Sequence, residues 1–378
     1  MISNILRVHE QRQVRRLGTA TRHWRVGVVG FGHVGKAFAD LLWATRPELA
    51  SRHGMSVAIG LLATRNRVEV ARDGAPPEGG LNPEGDLSER PAGTTDLQSY
   101  IGEAPIDVLV ELTPWVPWGS EPGLGHLKAA FASGVHAITA NKAPVALDGR
   151  ELREEAARAG LGFRYEAAVM DCLPIMGLRR TAIPLGSVDE FSAVPNSTTN
   201  FVLDKMASGT PKDEAIAHVQ RWGISEADPT LDLDGWDAAF KAAILAYELL
   251  GVTVRGDDVD RAGIGSITDA DAQSAAAQGE CYRVVARGSR STGIVSVAPE
   301  RMARESFFGS VRGLSMSVSI QSQHAGQLQV TLMNPSLAQA AYAVVMDLVA
   351  LNTAVSKGDI RPPRGSAESV HSVGPGWM

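Results

Sequence analysis

The sequence predicts an α/β protein with a Rossmann-type, doubly wound parallel sheet, followed by a second α+β domain. Three observations support this fold class. Short β-rich runs alternate with helical stretches up to about residue 170, as in a parallel sheet with helices on both faces. A glycine-rich loop follows the first run, in "WRVGVVGFGHVG". After residue 170 strands and helices are grouped, which is typical of an α+β domain.

In the first part of the chain, Val34, Ala37, Phe38 and Leu41 follow the spacing of an amphipathic helix directly after the glycine loop. Further helices are predicted over 125–134 and 148–160, the second with Asp148 as its N-cap. Residues 66–98 are polar and dense in Gly and Pro, so they are predicted to form a long surface excursion. The apolar runs predict strands over 24–29, 56–64, 106–113, 135–140 and 161–169.

In the second part, strands are predicted over 187–194, 280–287, 292–297, 315–322 and 327–333. Helices are predicted near 198–208, 211–222, 235–250 and 337–352. The last of these is apolar on most faces, so we expect it to be buried. It is expected to return to the first domain and pack there.

Four segments follow from these patterns. Residues 1–23 form a basic extension, interpreted as a short helix and a loose arm, with an organelle transit peptide as the alternative. Residues 24–150, together with 335–352, are expected to form a dinucleotide-binding domain, and 151–334 the second domain. Residues 353–378 are rich in Pro, Gly and Ser and are predicted to be a flexible tail.

Composition restricts the class of partner. The chain has 378 residues and a formal net charge of -6, so no positive field favours nucleic acid or anionic membrane. No apolar run approaches the ~20 residues of a membrane-spanning helix. Two cysteines, Cys172 and Cys281, do not make a disulfide framework in so long a chain. We therefore expect a cytoplasmic protein with a small-molecule substrate, and neither nucleic acid nor membrane as a partner.

The glycine loop is the predicted cofactor site. Gly30, Gly32 and Gly35 stand in a G-x-G-x-x-G frame between a strand and a helix. In a dinucleotide site the first glycine permits the turn, the second admits the pyrophosphate, and the third lets helix and strand pack closely. The alternative is a tight turn without a ligand. The contacts predicted for the cofactor here are Gly30, Phe31, Gly32, His33, Val34 and Gly35.

The end of the second strand bears on which dinucleotide is bound. NAD sites place an acid there for the ribose hydroxyls. Here the strand ends "ATRNR", and Thr64 and Arg65 stand in place of the acid. A guanidinium suits a 2′-phosphate, so the sequence favours NADP over NAD, unless Arg65 is only a solvated surface residue.

Asp237 and Lys241 are the first candidates for chemistry. They lie four residues apart in "GWDAAFKAAIL", a predicted helix that is apolar on nearly all sides and therefore buried. A partly buried lysine can transfer a proton near neutral pH. Acids at Glu226, Asp228, Asp232 and Asp234 precede this helix. Such a loop could hold a divalent metal, cap helices or receive a cationic substrate.

At these motifs the sequence resembles homoserine dehydrogenase. "VLVELTP", "AITANKAPVAL", "YEAAV", "NSTTNFVLDKM" and "GISEADPTLDLDGWDAAFK" follow one another in that family's order across most of residues 24–250. The resemblance implies an NAD(P)-dependent oxidoreductase that interconverts homoserine and aspartate semialdehyde. It also implies a homodimer or homotetramer, built through a second domain that carries substrate-binding residues.

The resemblance assigns roles to matching positions. Lys241 would handle the proton on the substrate hydroxyl, with Asp237 beside it, and Lys142 would lie between cofactor and substrate. Thr113 and Asn141 are further expected cofactor contacts, and Lys142 is counted among them. The matching substrate contacts are Glu226, Asp232 and Thr198. A monovalent cation, Na⁺ or K⁺, would bind the carboxylate of Glu166 and the carbonyls of Val169, Asp171 and Leu173.

The sequence departs from the family pattern at the pocket. Met170, Asp171 and Cys172 replace a glycine run, Ser197 replaces another glycine, and "LMNPSLAQAAY" replaces a late glycine-rich segment. Glycines admit a ligand close to the backbone, so the pocket wall must differ, and Asp171 becomes a candidate substrate contact. Two alternatives stay open: the same mechanism on another small alcohol or aldehyde, or a cofactor-binding regulator without catalysis. Cys172 is interpreted as a packing residue rather than a nucleophile.

Overall fold

The first domain is built on a seven-stranded sheet with the strand order β4-β3-β2-β1-β5-β6-β7. The computed structural model describes residues 21–64, 67–71, 87–91, 94–221 and 229–364. Strands β2, β1, β5, β6 and β7 run parallel, and β3 and β4 extend the β2 edge in antiparallel fashion. The strands are β1 Arg22–Val29, β2 Met55–Ala63, β3 Arg67–Ala71, β4 Leu87–Pro91, β5 Val108–Glu111, β6 His136–Thr139 and β7 Phe163–Arg164.

Helices cover both faces of this sheet, which confirms the predicted fold class. On one face, Phe38 and Leu348 pack with Val28; on the other, Ile101 packs with Val29. The helices are α1 His33–His53, α2 Thr94–Glu103, α3 Gly123–Ala132, α4 Lys142–Arg158, α5 Ile175–Thr181, α6 Ser197–Ala207, α7 Lys212–Arg221, α8 Thr230–Leu233, α9 Trp236–Leu245, α10 Asp269–Ala277 and α11 Leu337–Lys357. A π-helical turn, Ala246–Leu250, continues α9.

Helix α11 returns to the first domain and packs along α1. Val344, Leu348 and Leu351 are fully buried in the core that β1 and α1 share. The described chain contains one helix, α11, whose length and composition would suit a membrane span, and more than half of that helix is buried in the protein. Its apolar face is therefore explained by packing on α1.

The second domain has a six-stranded sheet with the order β13-β12-β8-β10-β11-β9. Its pairs are antiparallel apart from β11 and β9. Helices α6 and α9 contact the central strand β10, so α9 lies between this sheet and the first domain. The strands are β8 Val188–Val194, β9 Asp260–Arg261, β10 Glu280–Ser289, β11 Val295–Ala303, β12 Met316–Ser322 and β13 Gly326–Leu332.

Two local predictions were wrong. The polar stretch 66–98 contains β3, β4 and the start of α2. Of these two strands only β4 is an edge strand, and β3 is short and needs only Val68 and Val70 as buried apolar residues. Helix α4 begins at Lys142 and not at the predicted Asp148. Its N-cap is Asn141, whose side chain accepts a hydrogen bond from the N–H of Ala143. Asp148 instead accepts a hydrogen bond from Ser120.

The predicted segment boundaries also shift. Arg22 and His23 belong to β1, so the described chain joins the sheet before residue 24. The sheet continues to Phe163–Arg164, beyond the expected boundary at 150. Helix α11 extends to Lys357, and Arg361 donates its backbone N–H to Gly160 O at 2.8 Å. Residues 353–364 are therefore part of the packed structure, and the rest of the predicted tail lies outside the described residues.

Candidate functional site

The glycine loop joins the central strand β1 to helix α1, and each glycine has a separate structural reason. Gly30 has a positive φ of 94°, and a Cβ there would lie 2.5 Å from the carbonyl carbon of Leu112. A Cβ on Gly35 would lie 2.6 Å from Gly30 O. At Gly32 no atom of the described residues lies within 4 Å of the position that a Cβ would take. The first and third glycines are thus required by packing, and the second leaves room for a ligand.

The loop also presents a free helix N-terminus. Helix α1 has Gly32 as its N-cap, which supplies no side-chain hydrogen bond, and its first turn contains no acid. Its first N–H groups and positive dipole end therefore suit a phosphate. The loop lies at the carboxyl end of β1, beside β5, where the strand order reverses. This crevice is the usual nucleotide site of an open parallel sheet, so the residues present fit a dinucleotide. His33 and Val34 form the first turn of α1, and Phe31 is partly buried beside it.

The end of β2 carries no acid within the described residues. Thr64 Oγ1 accepts a hydrogen bond from the N–H of Arg67 at 3.2 Å, closing the turn to β3. Arg65 lies outside the described residues. The preference for NADP therefore stays a prediction.

A buried carboxylate, Glu111, organises the opposite wall of the crevice. It is 0% exposed at the end of β5. It accepts hydrogen bonds from the N–H of Thr113 at 3.0 Å and from Thr139 Oγ1 at 2.9 Å. Asn141 Nδ2 donates to Thr113 Oγ1 at 3.3 Å. Glu111 thereby fixes Thr113 directly and is linked through Thr113 and Thr139 to Asn141, the residue before Lys142. The sequence offered no sign of its role beyond an acid inside an apolar strand.

Asp237 lies between the two predicted catalytic lysines. One of its oxygens is 2.8 Å from Lys142 Nζ, and the other is 2.8 Å from Lys241 Nζ. Lys241 Nζ also donates to the backbone carbonyl of Pro195 at 2.8 Å. All three charged groups are largely buried, with side-chain exposures of 14%, 13% and 7% for Lys142, Lys241 and Asp237. The structure thus brings Lys142 of α4, in the first domain, together with Asp237 and Lys241 of α9, in the second domain.

Two further residues complete this cluster. Asn196 Nδ2 donates to Asp237 at 2.7 Å and to Asp232 at 2.7 Å, so the Asn196 amide bridges the two acids. The indole ring of Trp115 lies under Lys142, with Nζ 4.3 Å from the ring centroid. The pattern of acids and lysines in the sequence does not reveal Asn196, which also caps α6 by accepting a hydrogen bond from the N–H of Thr199. Thr198, in the same first turn, is buried.

The electrostatics of the cluster follow from these contacts. Burial opposes the charged form of Asp237, but the two ammonium groups outweigh it and hold the pKa well below its usual range. Burial likewise lowers the pKa of Lys241, but Asp237 outweighs it and the net shift is upward. Burial and the charge of Asp237 raise the pKa of Asp232. Lys241 is therefore an ammonium at neutral pH, and its partner Asp237 makes it hold its proton more tightly than a free lysine does.

The loop that departs from the family pattern has an unusual backbone. Met170 and Asp171 have φ values of 111° and 53°, a region that favours glycine. Burial raises the pKa of Asp171, while the charges of Lys241 and Lys142 act in the opposite direction. The Asp171 carboxylate thus shares the electrostatic environment of the cluster. Burial and Asp171 raise the pKa of the Cys172 thiol, which does not favour a nucleophilic role.

The predicted cation site has a different arrangement. Glu166 accepts backbone hydrogen bonds from Met176 at 2.8 Å and Gly177 at 3.1 Å, and so caps α5. The Arg180 guanidinium lies 3.8 Å from the same carboxylate. Leu173 O accepts from the N–H of Ile175. The Glu166 carboxylate is therefore already engaged by α5 and Arg180, and the Na⁺ or K⁺ site stays a prediction.

Glu226 and its neighbour Asp228 lie outside the described residues. The predicted contact of Glu226 with substrate is therefore not placed in the structure. Asp234 is exposed, and its carbonyl accepts a hydrogen bond from Arg261. Of the acidic loop, the described chain brings Asp232 to the lysine cluster. No group of three or more metal-ligating side chains occurs within the described ranges.

Comparison with known proteins gives the same assignment for both domains. The family description "Homoserine dehydrogenase, NAD binding domain" matches residues 30–166, and "Homoserine dehydrogenase" matches residues 174–349. The NAD(+)-dependent homoserine dehydrogenase of Pseudomonas canavaninivorans is 27% identical over 88% of this chain and 97% of its own length. The homoserine dehydrogenase of Mycobacterium leprae is 31% identical over 92% of this chain and 75% of its own length.

Solved structures agree. The putative homoserine dehydrogenase of Archaeoglobus fulgidus has a TM-score of 0.75 at 25% identity, covering 87% of this chain and 99% of that one. The homoserine dehydrogenase of Thiobacillus denitrificans has a TM-score of 0.76 at 27% identity, covering 90% and 75% of the two chains.

With the crevice and the lysine cluster in place, these matches define the class: the chain is an NAD(P)-dependent dehydrogenase that acts on a CH–OH group. At the boundary of the two domains the described site places the ammonium of Lys241 against the carboxylate of Asp237. Within this class the chain belongs to the homoserine dehydrogenase family, as a divergent member.

Proposed function

We propose that this protein interconverts homoserine and aspartate semialdehyde, with Lys241 as the proton donor and acceptor. The observation that carries the proposal is the pair of ammonium groups on Asp237 next to a dinucleotide crevice. A bound nicotinamide supplies or accepts the hydride at the substrate carbon. The protein must then provide or take up a proton at the substrate oxygen, and this requirement identifies the roles of its residues.

Lys241 is suited to that proton transfer. An ammonium has three N–H groups. Within the described chain, one is directed at Asp237 and one at Pro195 O. A third N–H is left for a substrate oxygen. It stabilises the negative charge that develops on a carbonyl during reduction and then donates the proton.

Lys142 and Asp237 act through position and charge. Asp237 holds both ammonium groups at 2.8 Å, so their mutual repulsion is offset by one shared carboxylate. Lys142 lies at the start of α4, directly after Asn141. Lys142 therefore lies between a predicted cofactor contact, Asn141, and the proposed substrate site at Asp237. Asp232, held by Asn196, offers a carboxylate for the ammonium of an amino-acid substrate.

The direct test measures both directions of the reaction. Purified protein is mixed with homoserine and NAD⁺ or NADP⁺, or with aspartate semialdehyde and the reduced dinucleotide, and absorbance of the reduced nicotinamide is followed. We expect turnover with both pairs. Cofactor binding without turnover on either substrate would contradict the proposal and favour the non-catalytic regulator.

A second candidate is the same chemistry on a different small alcohol or aldehyde. The observation that favours it is Asp171, which adds a carboxylate to a cluster whose described members already include Asp232 and Asp237. An additional negative charge disfavours a substrate carboxylate near it and favours an ammonium. A panel of small hydroxy compounds, with and without a carboxylate, separates the candidates by kcat/KM. A carboxylate-free amino alcohol that exceeds homoserine would establish the second candidate.

We further propose NADP as the preferred dinucleotide, a homodimer or homotetramer formed through the second domain, and a cytoplasmic location. Thr64 stands where NAD sites place an acid, which supports the preference for NADP. Comparison of KM for NADH and NADPH tests it, and a lower KM for NADH would reject it.

Light scattering on the purified chain measures the oligomer size. Fluorescence imaging of a tagged chain in its source cell tests the location.

A further inference from the structure

A second cavity of about 320 Å³ lies outside the crevice and the lysine cluster. It forms where α4, β7, α5, α11 and the π-helical turn meet, between the two domains. Its volume lies in the range of sites for small organic ligands. Its charged lining consists of three arginines and three acids: Arg153, Arg164, Arg180, Glu166, Glu248 and Asp347.

The acids of this cavity are used by the fold itself. Glu166 accepts the backbone N–H groups of Met176 and Gly177. Asp347 accepts the N–H of Glu166 at 2.8 Å. Glu248 accepts a hydrogen bond from the hydroxyl of Tyr165. A cation entering the cavity would compete with these internal donors, so the carboxylates do not form an open cation site.

The arginines have donors left over. Arg164 Nη1 donates to its neighbour's carbonyl, Phe163 O, at 2.9 Å. The Nε atoms of Arg164 and Arg153 are buried and have no hydrogen-bond partner within the described residues. Arg180 is 45% exposed, and its closest carboxylate oxygen is 3.8 Å away. Because those two Nε atoms are enclosed by protein, a ligand in the cavity would instead meet the terminal nitrogens of Arg164 and Arg180, which line it. Guanidinium donors that face a cavity are stabilised by an acceptor.

Arg164 and Arg180 also repel each other. Burial lowers the pKa of Arg164 and the positive charge of Arg180 lowers it further, while the negative charges of Asp347 and Glu248 act in the opposite direction. Two guanidinium groups beside one cavity are stabilised together by an anion that bridges them. Planar guanidinium forks match the geometry of carboxylate and phosphate oxygens, in a way that single ammonium groups do not.

We propose that this cavity binds a small oxyanion-bearing molecule, a carboxylate or a phosphate, through Arg164 and Arg180. The site is separate from the proposed dinucleotide and substrate sites, because none of its lining residues belongs to the glycine loop or to the lysine cluster. Ligand binding here does not depend on the identity of the substrate. The proposal therefore stands or fails independently of the proposed reaction.

Calorimetric titration tests the proposal with sodium phosphate, sodium sulfate and sodium malonate, at an ionic strength held constant with NaCl. The protein is first saturated with reduced dinucleotide, so that the glycine loop is not free to bind phosphate. We expect one saturable site on the unaltered chain. R164Q and R180Q should each weaken binding tenfold or more, because each removes a charged hydrogen-bond donor. Tighter binding of malonate or of phosphate identifies the ligand as a carboxylate or a phosphate.

Two controls keep the result interpretable. Arg158→Gln removes an exposed arginine of α4 whose closest acid, Glu154, is 3.9 Å away, and it should bind like the unaltered chain. Arg180 is itself partly exposed, so R180Q should fold even if R164Q does not, and circular dichroism checks both. No saturable binding of any of the three anions to the unaltered chain would overturn the proposal. Equal affinities of R180Q and the unaltered chain would overturn it as well.

Discussion

Replacement of Lys241 by alanine is expected to abolish most turnover while leaving the dinucleotide bound. Lys241 Nζ lies 2.8 Å from Asp237 and 2.8 Å from Pro195 O, and it is the proposed proton donor. Loss of a positioned general acid lowers rates by roughly 10²–10⁴, or about 3–5 kcal/mol in the barrier. The change should appear mainly in kcat, because the proton is transferred in the transition state.

The variant should remain folded. Asp237 keeps Lys142 at 2.8 Å and Asn196 at 2.7 Å, so its buried carboxylate is still compensated. A loss of roughly 1–3 kcal/mol in the free energy of unfolding is expected from the lost charged hydrogen bond. Urea denaturation measures that loss. Lys241→Arg keeps the charge but not the compact ammonium, so it should recover stability more than turnover.

The assay follows absorbance of the reduced nicotinamide, and fluorescence titration gives the dinucleotide Kd. Lys128→Ala is the matched control, because Lys128 makes an ordinary exposed pair with Glu151 at 3.0 Å. It should leave kcat unchanged. A Lys241→Ala variant with turnover within about threefold of the unaltered protein would refute the proton-transfer role. An increase in the dinucleotide Kd as large as the loss of turnover would show that Lys241 serves binding instead.

Three further predictions concern the glycine loop, the pocket loop and a buried histidine. Gly32→Ala should fold normally and raise the dinucleotide Kd, whereas Gly30→Ala should cost roughly 1–3 kcal/mol of stability in urea denaturation, since its Cβ would meet Leu112 and its φ is positive. Asp171→Gly should raise the melting temperature by relieving a φ of 53°, and should increase kcat/KM for homoserine relative to carboxylate-free alcohols; unchanged values of both would contradict the assigned strain and charge. Burial lowers the pKa of His136 to about 4. Between about pH 6.5 and about pH 4, His136 is protonated in the unfolded chain but not in the folded one. Stability should therefore fall as pH drops through this range, by up to about 3 kcal/mol. His136→Asn should flatten this part of the urea-denaturation profile.

The sequence predicts those parts of the site whose geometry is local. A strand, a glycine turn and a helix are adjacent in the chain, so Gly30 and Gly35 can be assigned from spacing alone. Asp237 and Lys241 are also local, because an interval of four residues places two side chains on one helix face. Their contact at 2.8 Å agrees with that spacing.

Contacts between distant segments are not predicted by such patterns. Glu111 and Thr139 are separated by 28 positions, and Asn196 and Asp237 by 41. In the sequence, Glu111 looks like any acid at the end of a strand, and Asn196 looks like any helix cap. Neither shows which distant residue it will contact. The Asn141 cap was missed for a related reason, since Asp148 is an equally good cap by residue type and only tertiary position decides between them.

The backbone of Met170 and Asp171 connects the pocket to the choice of substrate. Each residue with a positive φ costs roughly 1–3 kcal/mol, and such strain persists where the surroundings determine the conformation. Met170 is buried, so the packing of its side chain in the core explains its positive φ. Packing does not explain Asp171, which is partly exposed and feels the charges of Lys241 and Lys142. Among the described charged groups, Asp171, Asp232 and Asp237 outnumber the two lysines, so this pocket should select its substrate by an ammonium group.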